Sequence, residues 1–345
     1  MHSFITFGAI ALALSRLSFA ANITVYQPNE PFAPQTLPPP NPASKSDQIV
    51  QIFSTLGRTT VWNLVQKTPF QYDTGEPEGM VRLGTDRYFV SAGTYSTPTV
   101  SYGNNTIING TDRTDGAGFA HLIVFDSNGT RIADATLTAP GALEYHNGGI
   151  DYDGEFIWAA IAQYRPNTTA YFLKIDPRTL EYTTVFHAND HFGGIVHDTQ
   201  KNEIVTLNWG SRNSSIWKLD PSINSSSFPA PQKVNRNPSF YVDYQDCKFL
   251  GHPEAYNYRG VMMCSGVTAL TNNCTIGGLA IVDEETMIPL DEIPLTMVSD
   301  LGTAITQNPM DVDIVDGKLR AYFLPDQHNS TLYVYEAQPQ SPYEF

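Results

Sequence analysis

Two short runs share one form. His146-Asn147-Gly148-Gly149-Ile150-Asp151 and His191-Phe192-Gly193-Gly194-Ile195-Val196 each set a histidine ahead of a glycine pair and an apolar strand. Imidazole is the side chain that exchanges a proton near neutral pH, so two histidines at equivalent places suggest a general acid and a general base. Glu76 and Glu78 open a similar run, Glu76-Pro77-Glu78-Gly79-Met80-Val81. Arg165 and Arg212 follow strands and suit the binding of an oxyanion. Tyr95, Tyr164 and Trp209 offer flat faces for a planar ligand. Gln163, Asp190, Asp246, Gln327 and His328 complete a polar set at strand openings and in the loops after second strands. Glu78, His146, Arg165 and His191 are the expected catalytic group; Tyr164, Trp209, Arg212, Asp246, Gln327 and His328 are the expected binding group. The plainer alternatives are histidines bonded to a neighbouring backbone, arginines solvated in loops, and Glu78, Asp190 and Asp246 around a structural ion. His197 lies within its strand, facing a channel or packed between units, and Trp158 belongs to the core.

The common enzyme signatures are missing: no G-x-S-x-G, H-E-x-x-H, P-loop, G-x-G-x-x-G or C-x-x-C occurs. Asp311, Asp313 and Asp316-Gly317 approach a calcium loop but break the EF-hand spacing, so they read as a strand and turn. No metal site or cofactor is expected beyond a possible structural calcium.

Positioning these residues is the task of a repeat. Five times the chain gives a short strand, a turn and a more apolar strand: from Glu76, His146, His191, Gln245 and Pro309. A third strand follows each, and three of these end in Asp126, Asp176 or Asp220 before a turn. A fourth strand is visible in four units. The orphan strand Thr60–Gln66 is placed to complete the last unit and close a ring, which removes exposed edges. The expected fold is all-β: a five-bladed β-propeller over residues 59–345, with a six-bladed ring as the alternative and a β-sandwich disfavoured. In such a ring the first strands line a central channel and their N-terminal ends open on one face. Gly79, Gly149 and Gly194 fit the crowding near that axis. Residues 21–58, rich in Pro, Asn and Ser, read as an extended leader.

Composition agrees. The 345 residues carry 18 Tyr, 18 Phe, 25 Gly and 24 Pro, which suits short strands and tight turns. A net charge of −15 repels phosphate backbones, and no basic cluster offsets it, so no nucleic-acid partner is expected and a small molecule is. Residues 1–20 read as a signal peptide, with an apolar run from Phe4 to Leu14 and small residues at Ser18 and Ala20. Arg16 after that run and the lack of a basic residue before it are untypical. No later stretch is apolar enough to span a bilayer, so no membrane partner is expected. Nine Asn-x-Ser/Thr sequons support a secretory route to the extracellular space: Asn22, Asn104, Asn109, Asn128, Asn167, Asn213, Asn224, Asn273 and Asn329. Three cysteines remain, and Cys247 with Cys264, on adjacent strands, is the favoured disulfide; Cys264 with Cys274 is the alternative.

The Glu76–Gly84, His146–Asp151, Gln163–Asn167, Gly193–Asp198, Asn208–Arg212 and Tyr244–Cys247 motifs, with Cys264-Ser265-Gly266, resemble a family of secreted β-propeller proteins. The likeness spans roughly residues 60–335. Fungal propellers of this kind are similar to hetero-Diels–Alderases of tropolone–sesquiterpenoid biosynthesis. That resemblance implies dehydration of a hydroxymethyl tropolone or phenol to an ortho-quinone methide, then its oriented addition to a terpene alkene, without a metal or redox cofactor. Two other classes stay open: a propeller hydrolase (lactonase or glycosidase, calcium-dependent or not) and a ligand-binding propeller without chemistry. Unlike residues at equivalent positions favour one asymmetric central site over a lectin's repeated sites. Fold alone decides none of this.

Overall fold

The computed structural model describes residues 22–57, 59–238, 243–270 and 274–338. The expected signal peptide and Asn273 lie outside them. Five antiparallel sheets form a five-bladed β-propeller. Their inner strands are Glu76–Leu83, His146–Tyr152, Phe192–Asp198, Asp243–Gly251 and Met310–Val315. Each unit then meanders outward through hairpins, and Val61–Pro69 pairs antiparallel with Thr331–Gln338 to complete the last blade.

Ring closure is visible in the packing. Strand side chains alternate faces, so each blade packs against a neighbour on either side. Met80 packs with Tyr322, Leu332 and Val334 of the fifth blade, while Val81 packs with Ile150, Ile157 and Leu173 of the second. Trp158 and Phe172 meet Ile195 and Trp217 between the second and third blades. Val196 and Val205 meet Phe249 and Met262 between the third and fourth. Leu250 and Met263 meet Val312 and Leu319 between the fourth and fifth. Five blades are thus joined by five apolar wedges, a number that only a closed ring gives. Burial of these side chains, at about 25 cal/mol per Å² of apolar area, is the main force holding the blades together.

The turn aspartates explain part of the repeat. Asp126 accepts the backbone N–H groups of Asn128 and Thr130, Asp176 that of Arg178, and Asp220 that of Ser222. Each carboxylate thereby organises the turn to the fourth strand.

Residues 22–57 are more structured than an extended leader. Asn22–Val25 adds a fifth strand to the outer edge of the first blade, covering a free edge. The helices Asn41–Ser44 and Ser46–Phe53 lie under the ring, at the C-terminal ends of the inner strands. Ile49, Val50 and Phe53 form one buried face against the fourth and fifth blades. Lys45 Nζ donates to Asp313 Oδ1 at 2.6 Å and to the Ile314 carbonyl at 2.8 Å, and Asn41 Nδ2 reaches the Arg82 carbonyl. Sequence periodicity missed this because the segment is too short and Pro-rich to show one.

Cys247 and Cys264 face each other in register and form the disulfide, inside the wedge between the third and fourth blades. Cys274 is a free thiol on the surface. Of the eight described sequon asparagines, Asn213 alone is half-buried; the other seven are exposed. No helix among the described residues is long and apolar enough to cross a membrane.

Candidate functional site

Four of the five inner strands carry a bulge at their upper end. Register slips between Pro77 and Gly79, Asn147 and Ile150, Phe192 and Gly194, and Tyr244 and Asp246. The fifth inner strand pairs without a slip. A bulge leaves a residue unpaired and re-aims its side chain, a device found beside active sites. Here it frees Glu78 and the residues around both glycine pairs. The glycines are also sterically required. A Cβ on Gly79 would meet Ile150 N at 2.5 Å, and one on Gly148 would meet the Gly193 carbonyl oxygen at 2.2 Å. Gly149 is crowded by Asp246 in the same way, whereas Gly194 has only ordinary contacts with Leu207.

A cavity of about 270 Å³ opens at this end of the channel. Glu76, Glu78, His146, Tyr164, His191, Trp209, Asp243 and Gln327 are among the residues lining it. His146 Nε2 lies 3.8 Å from Glu78 Oε1. The His146 ring stacks on Tyr164 with centroids 5.0 Å apart, and lies 5.2 Å from the His191 ring. Trp209 meets His191 edge-on at 4.8 Å and Tyr164 at 5.3 Å. The lining residues come from all five blades, Asp243 from the fourth and Gln327 from the fifth, so only the closed ring unites them.

Burial sets their protonation. It pushes the Glu78 carboxyl well above the usual range, helped by Glu76, Asp246 and Asp243. Burial lowers His146 well below the usual imidazole value, and His191 adds to that. His191 falls to about 4, burial outweighing its bond to the Gln163 carbonyl. At pH 7 the site therefore holds two neutral imidazoles beside a carboxyl whose ionisation burial opposes. His191 Nδ1 lies 2.6 Å from the Gln163 carbonyl oxygen. That acceptor fixes the tautomer: Nδ1 carries the hydrogen and Nε2 keeps the lone pair. His146 Nδ1 is buried with no partner. Glu76 and Asp243 are also raised, chiefly by burial.

Other expected site residues lie elsewhere. Arg165 is outside the cavity lining; it donates to Gln163 Oε1 at 2.9 Å and Asp115 Oδ1 at 2.8 Å. Arg212 sits behind Asp243 and donates to the Gly210 carbonyl at 2.6 Å. Asp246 is under the floor, where Lys248 Nζ reaches its Oδ1 at 2.6 Å and the Met80 and Met310 N–H groups reach Oδ2 at 3.1 Å. His328 faces outward and pairs with Asp73 at 2.9 Å. Tyr95 is 43% exposed and away from the lining. Asp190 is occupied by the N–H groups of Asn167 and His191 and by Asn208 Nδ2. His197 packs on Trp158 and pairs with Asp153, at the opposite end of its strand. Asp311 accepts the Arg82 N–H, and Asp313 pairs with Lys45, so that run is spent on the fold. Among the described residues no group of three or more His, Cys, Asp or Glu side chains is arranged to hold a metal ion.

Arg113 is the residue the sequence did not mark. It comes from the hairpin between Thr97 and Ala117, held by pairing of Ser101 with Arg113. Its guanidinium lies 4.4 Å over the Trp209 ring and 5.5 Å from the Tyr164 ring centre, and Asp112 holds it at 2.9 and 3.1 Å. Nothing local in an Asp-Arg-Thr-Asp run foretells a reach across two blades.

Comparison with solved structures gives distant likenesses. A luciferin-regenerating enzyme matches at 10% identity, covering 81% of this chain and 95% of its own, with a TM-score of 0.41. The soluble aldose sugar dehydrogenase of Escherichia coli matches at 10% identity, covering 82% and 100%, also at 0.41. The β-propeller domain of the Trilobed protease from Pyrococcus furiosus matches at 11%, covering 77% and 70%, at 0.29. At such values these likenesses say nothing about chemistry. No curated protein matches the chain. One family model does match, over residues 39–340, nearly the whole ring and the helices beneath it, and the chain belongs to that family, DUF6454, a family of unknown function.

Proposed function

We propose that the protein is a secreted, glycosylated enzyme that performs acid–base dehydration of a small planar alcohol. The observation that carries this is the buried Glu78 carboxyl, held well above its ordinary range by that burial, 3.8 Å from His146 and beside His191, whose Nδ1 is bonded to the Gln163 carbonyl. A carboxyl kept protonated by burial is a proton donor at neutral pH, and a nearby imidazole of fixed tautomer is an acceptor.

For a ring bearing adjacent hydroxyl and hydroxymethyl groups, each step balances. Glu78 gives its proton to the hydroxymethyl oxygen, the C–O bond breaks and water leaves. The ring hydroxyl gives its proton to His191 Nε2, and its O–H electron pair becomes the carbonyl of an ortho-quinone methide. His146 lies between the two groups and returns the proton to Glu78. Trp209 and Tyr164 hold the ring. The cavity, about 270 Å³, is at the small end of ligand pockets and takes this one ring. In the finer reading, a hetero-Diels–Alderase, the terpene alkene adds from the open mouth. The reaction consumes no oxidant or reductant.

The test is incubation with a hydroxymethyl tropolone and a thiol, which traps the quinone methide, followed by mass spectrometry. Wild-type protein is expected to accelerate trapping, and Glu78→Gln to remove about 10²–10⁴ of the rate. Addition of a humulene-type alkene is expected to give one stereoisomer. Trapping no faster than in buffer overturns the reading and directs attention to lactones and glycosides.

A further inference from the structure

The cavity is lined by three carboxyl groups, those of Glu76, Glu78 and Asp243, and, among the described residues, by no lysine or arginine. Its two histidines are neutral, so they bring no compensating charge. Arg212 acts electrostatically on Asp243, and no cation acts on Glu78, whose charged neighbours are all acids. Glu76 has the neutral Gln327 amide, 2.9 Å from its Oε1, and the more distant charge of His328, which is itself paired with Asp73. Acidic residues in a cavity are not by themselves a site, but two independent features point to what would fill this one. His146, 4% exposed, lines the cavity and leaves its Nδ1 without a partner. An imidazole with Nε2–H turned to an ionised Glu78 would present a lone pair at Nδ1, an acceptor for an N–H donor. Second, the protein already places a cation on the aromatic wall: the Arg113 guanidinium over Trp209 and Tyr164. Ring faces that hold guanidinium hold other organic cations by the same quadrupole attraction.

We infer that the mouth of the channel is a binding site for an organic cation, a flat ring carrying a positively charged substituent beside it. This deepens the proposed function and rests on it for the reacting centre. When water leaves a protonated hydroxymethyl group, the ring and its methylene carry positive charge until the ring hydroxyl loses its proton. Carboxyl groups and aromatic faces stabilise that charge where it develops. An aryl-methyl ammonium has the same shape and charge in a stable molecule. It would pair with Glu76 and Glu78 and donate to His146. Burial raises the carboxyl values in the cavity, and a bound ammonium acts in the opposite direction by favouring the ionised carboxylates.

Isothermal titration with benzylammonium, benzyl alcohol and benzoate tests this at low salt and pH 7. Benzylammonium is expected to bind at least about tenfold more tightly than the alcohol, and benzoate not to bind. Glu76→Gln is expected to weaken the ammonium about fivefold and leave the alcohol unchanged. Glu76 is half-buried at the rim, so the variant keeps the fold; Trp209→Leu, also at the rim, is expected to weaken the ammonium more than the alcohol. Equal binding of alcohol and ammonium, or preferred binding of benzoate, overturns the inference. Dehydration without ammonium preference sinks the cation site alone. Ammonium preference without dehydration sinks the reaction and leaves the cation site standing.

Discussion

Lys248→Met removes the charge on which the channel is pinned. Lys248 and Asp246 have side chains only 1% and 0% exposed. The ammonium donates to Asp246 Oδ1 at 2.6 Å, to the Ile150 carbonyl at 2.7 Å and to the Cys247 carbonyl at 3.3 Å. The other Asp246 oxygen accepts the N–H groups of Met80 and Met310. Four blades therefore meet at one ion pair. Methionine preserves the volume of the stem, so the change isolates the charge and its hydrogen bonds. Leaving a buried carboxylate unpaired costs about 3–5 kcal/mol. That is a large share of the roughly 5–15 kcal/mol that a folded domain has. The loss also depends on pH. Without Lys248 the folded-state value of Asp246, already raised by burial, rises further above that of the unfolded chain. A folded value above the unfolded one favours folding below the unfolded value and is lost as pH rises through the folded one. The variant is thus expected to lose more stability at pH 7 than at pH 5. Urea unfolding followed by tryptophan fluorescence measures both. The double variant with Asp246→Asn is expected to lose less than the sum of the two singles, because no orphan charge remains. A Lys248→Met loss under about 1 kcal/mol at pH 7 would show that the pin is not a source of stability.

Other outcomes follow from the same geometry. Gly148→Ala drives a Cβ to 2.2 Å from the Gly193 carbonyl oxygen, backbone against backbone, and is expected to cost at least about 1–3 kcal/mol, whereas Gly194→Ala meets only ordinary contacts and stays within about 1 kcal/mol of wild type on thermal unfolding. Dehydration is expected to follow a bell in pH: it falls in acid as His191 protonates near its value of about 4, and falls in base as Glu78 ionises at its raised value, as a kcat/KM profile measures. His146→Ala and His191→Ala are expected to lower the rate about 10²–10⁴ with thermal unfolding nearly unchanged, while Arg165→Ala leaves the rate alone because its partners are Gln163 and Asp115.

What the sequence exposes is what repeats. The five strand pairs, the closing strand and the turn aspartates are legible because alternation and Asp-containing turns are local patterns. Glu78, His146, His191, Tyr164 and Trp209 come together as the repeat places them, at equivalent points of neighbouring units. Side chains whose partners are distant in the chain are not legible that way. Arg165 and Arg113 look alike in sequence, each an arginine in a polar loop, yet the first bonds its own loop's Gln163 and the neighbouring Asp115, outside the cavity lining, and the second reaches over Trp209. Asp246 also looks like its neighbours at strand openings. The bulge between Tyr244 and Asp246 turns it down, where Lys248, two residues on and on the same face of the strand, neutralises it. The bulges themselves had a signal in the glycine pairs at 148–149 and 193–194, which is where register slips.

The channel thus treats buried acids in two ways along one axis. Below the floor each carboxylate has an assigned partner: Asp246 has Lys248 and two N–H groups, Asp313 has Lys45, and Asp311 has the Arg82 and Val312 N–H groups. Above it Glu78 has only a neutral imidazole at 3.8 Å, and Arg113, over the aromatic wall, is already paired with Asp112. Burial costs the same at both levels, so a fold selected only for stability would pair both or carry neither. The wedges between blades supply ample apolar contact to hold the ring without Glu78, and replacing it with leucine would relieve an unpaired acid. At Glu78 the bulges and glycines also make room for a ligand, so under the proposed function a bound molecule would offset this cost. On that reading its partner is the one component of the network that arrives from solution.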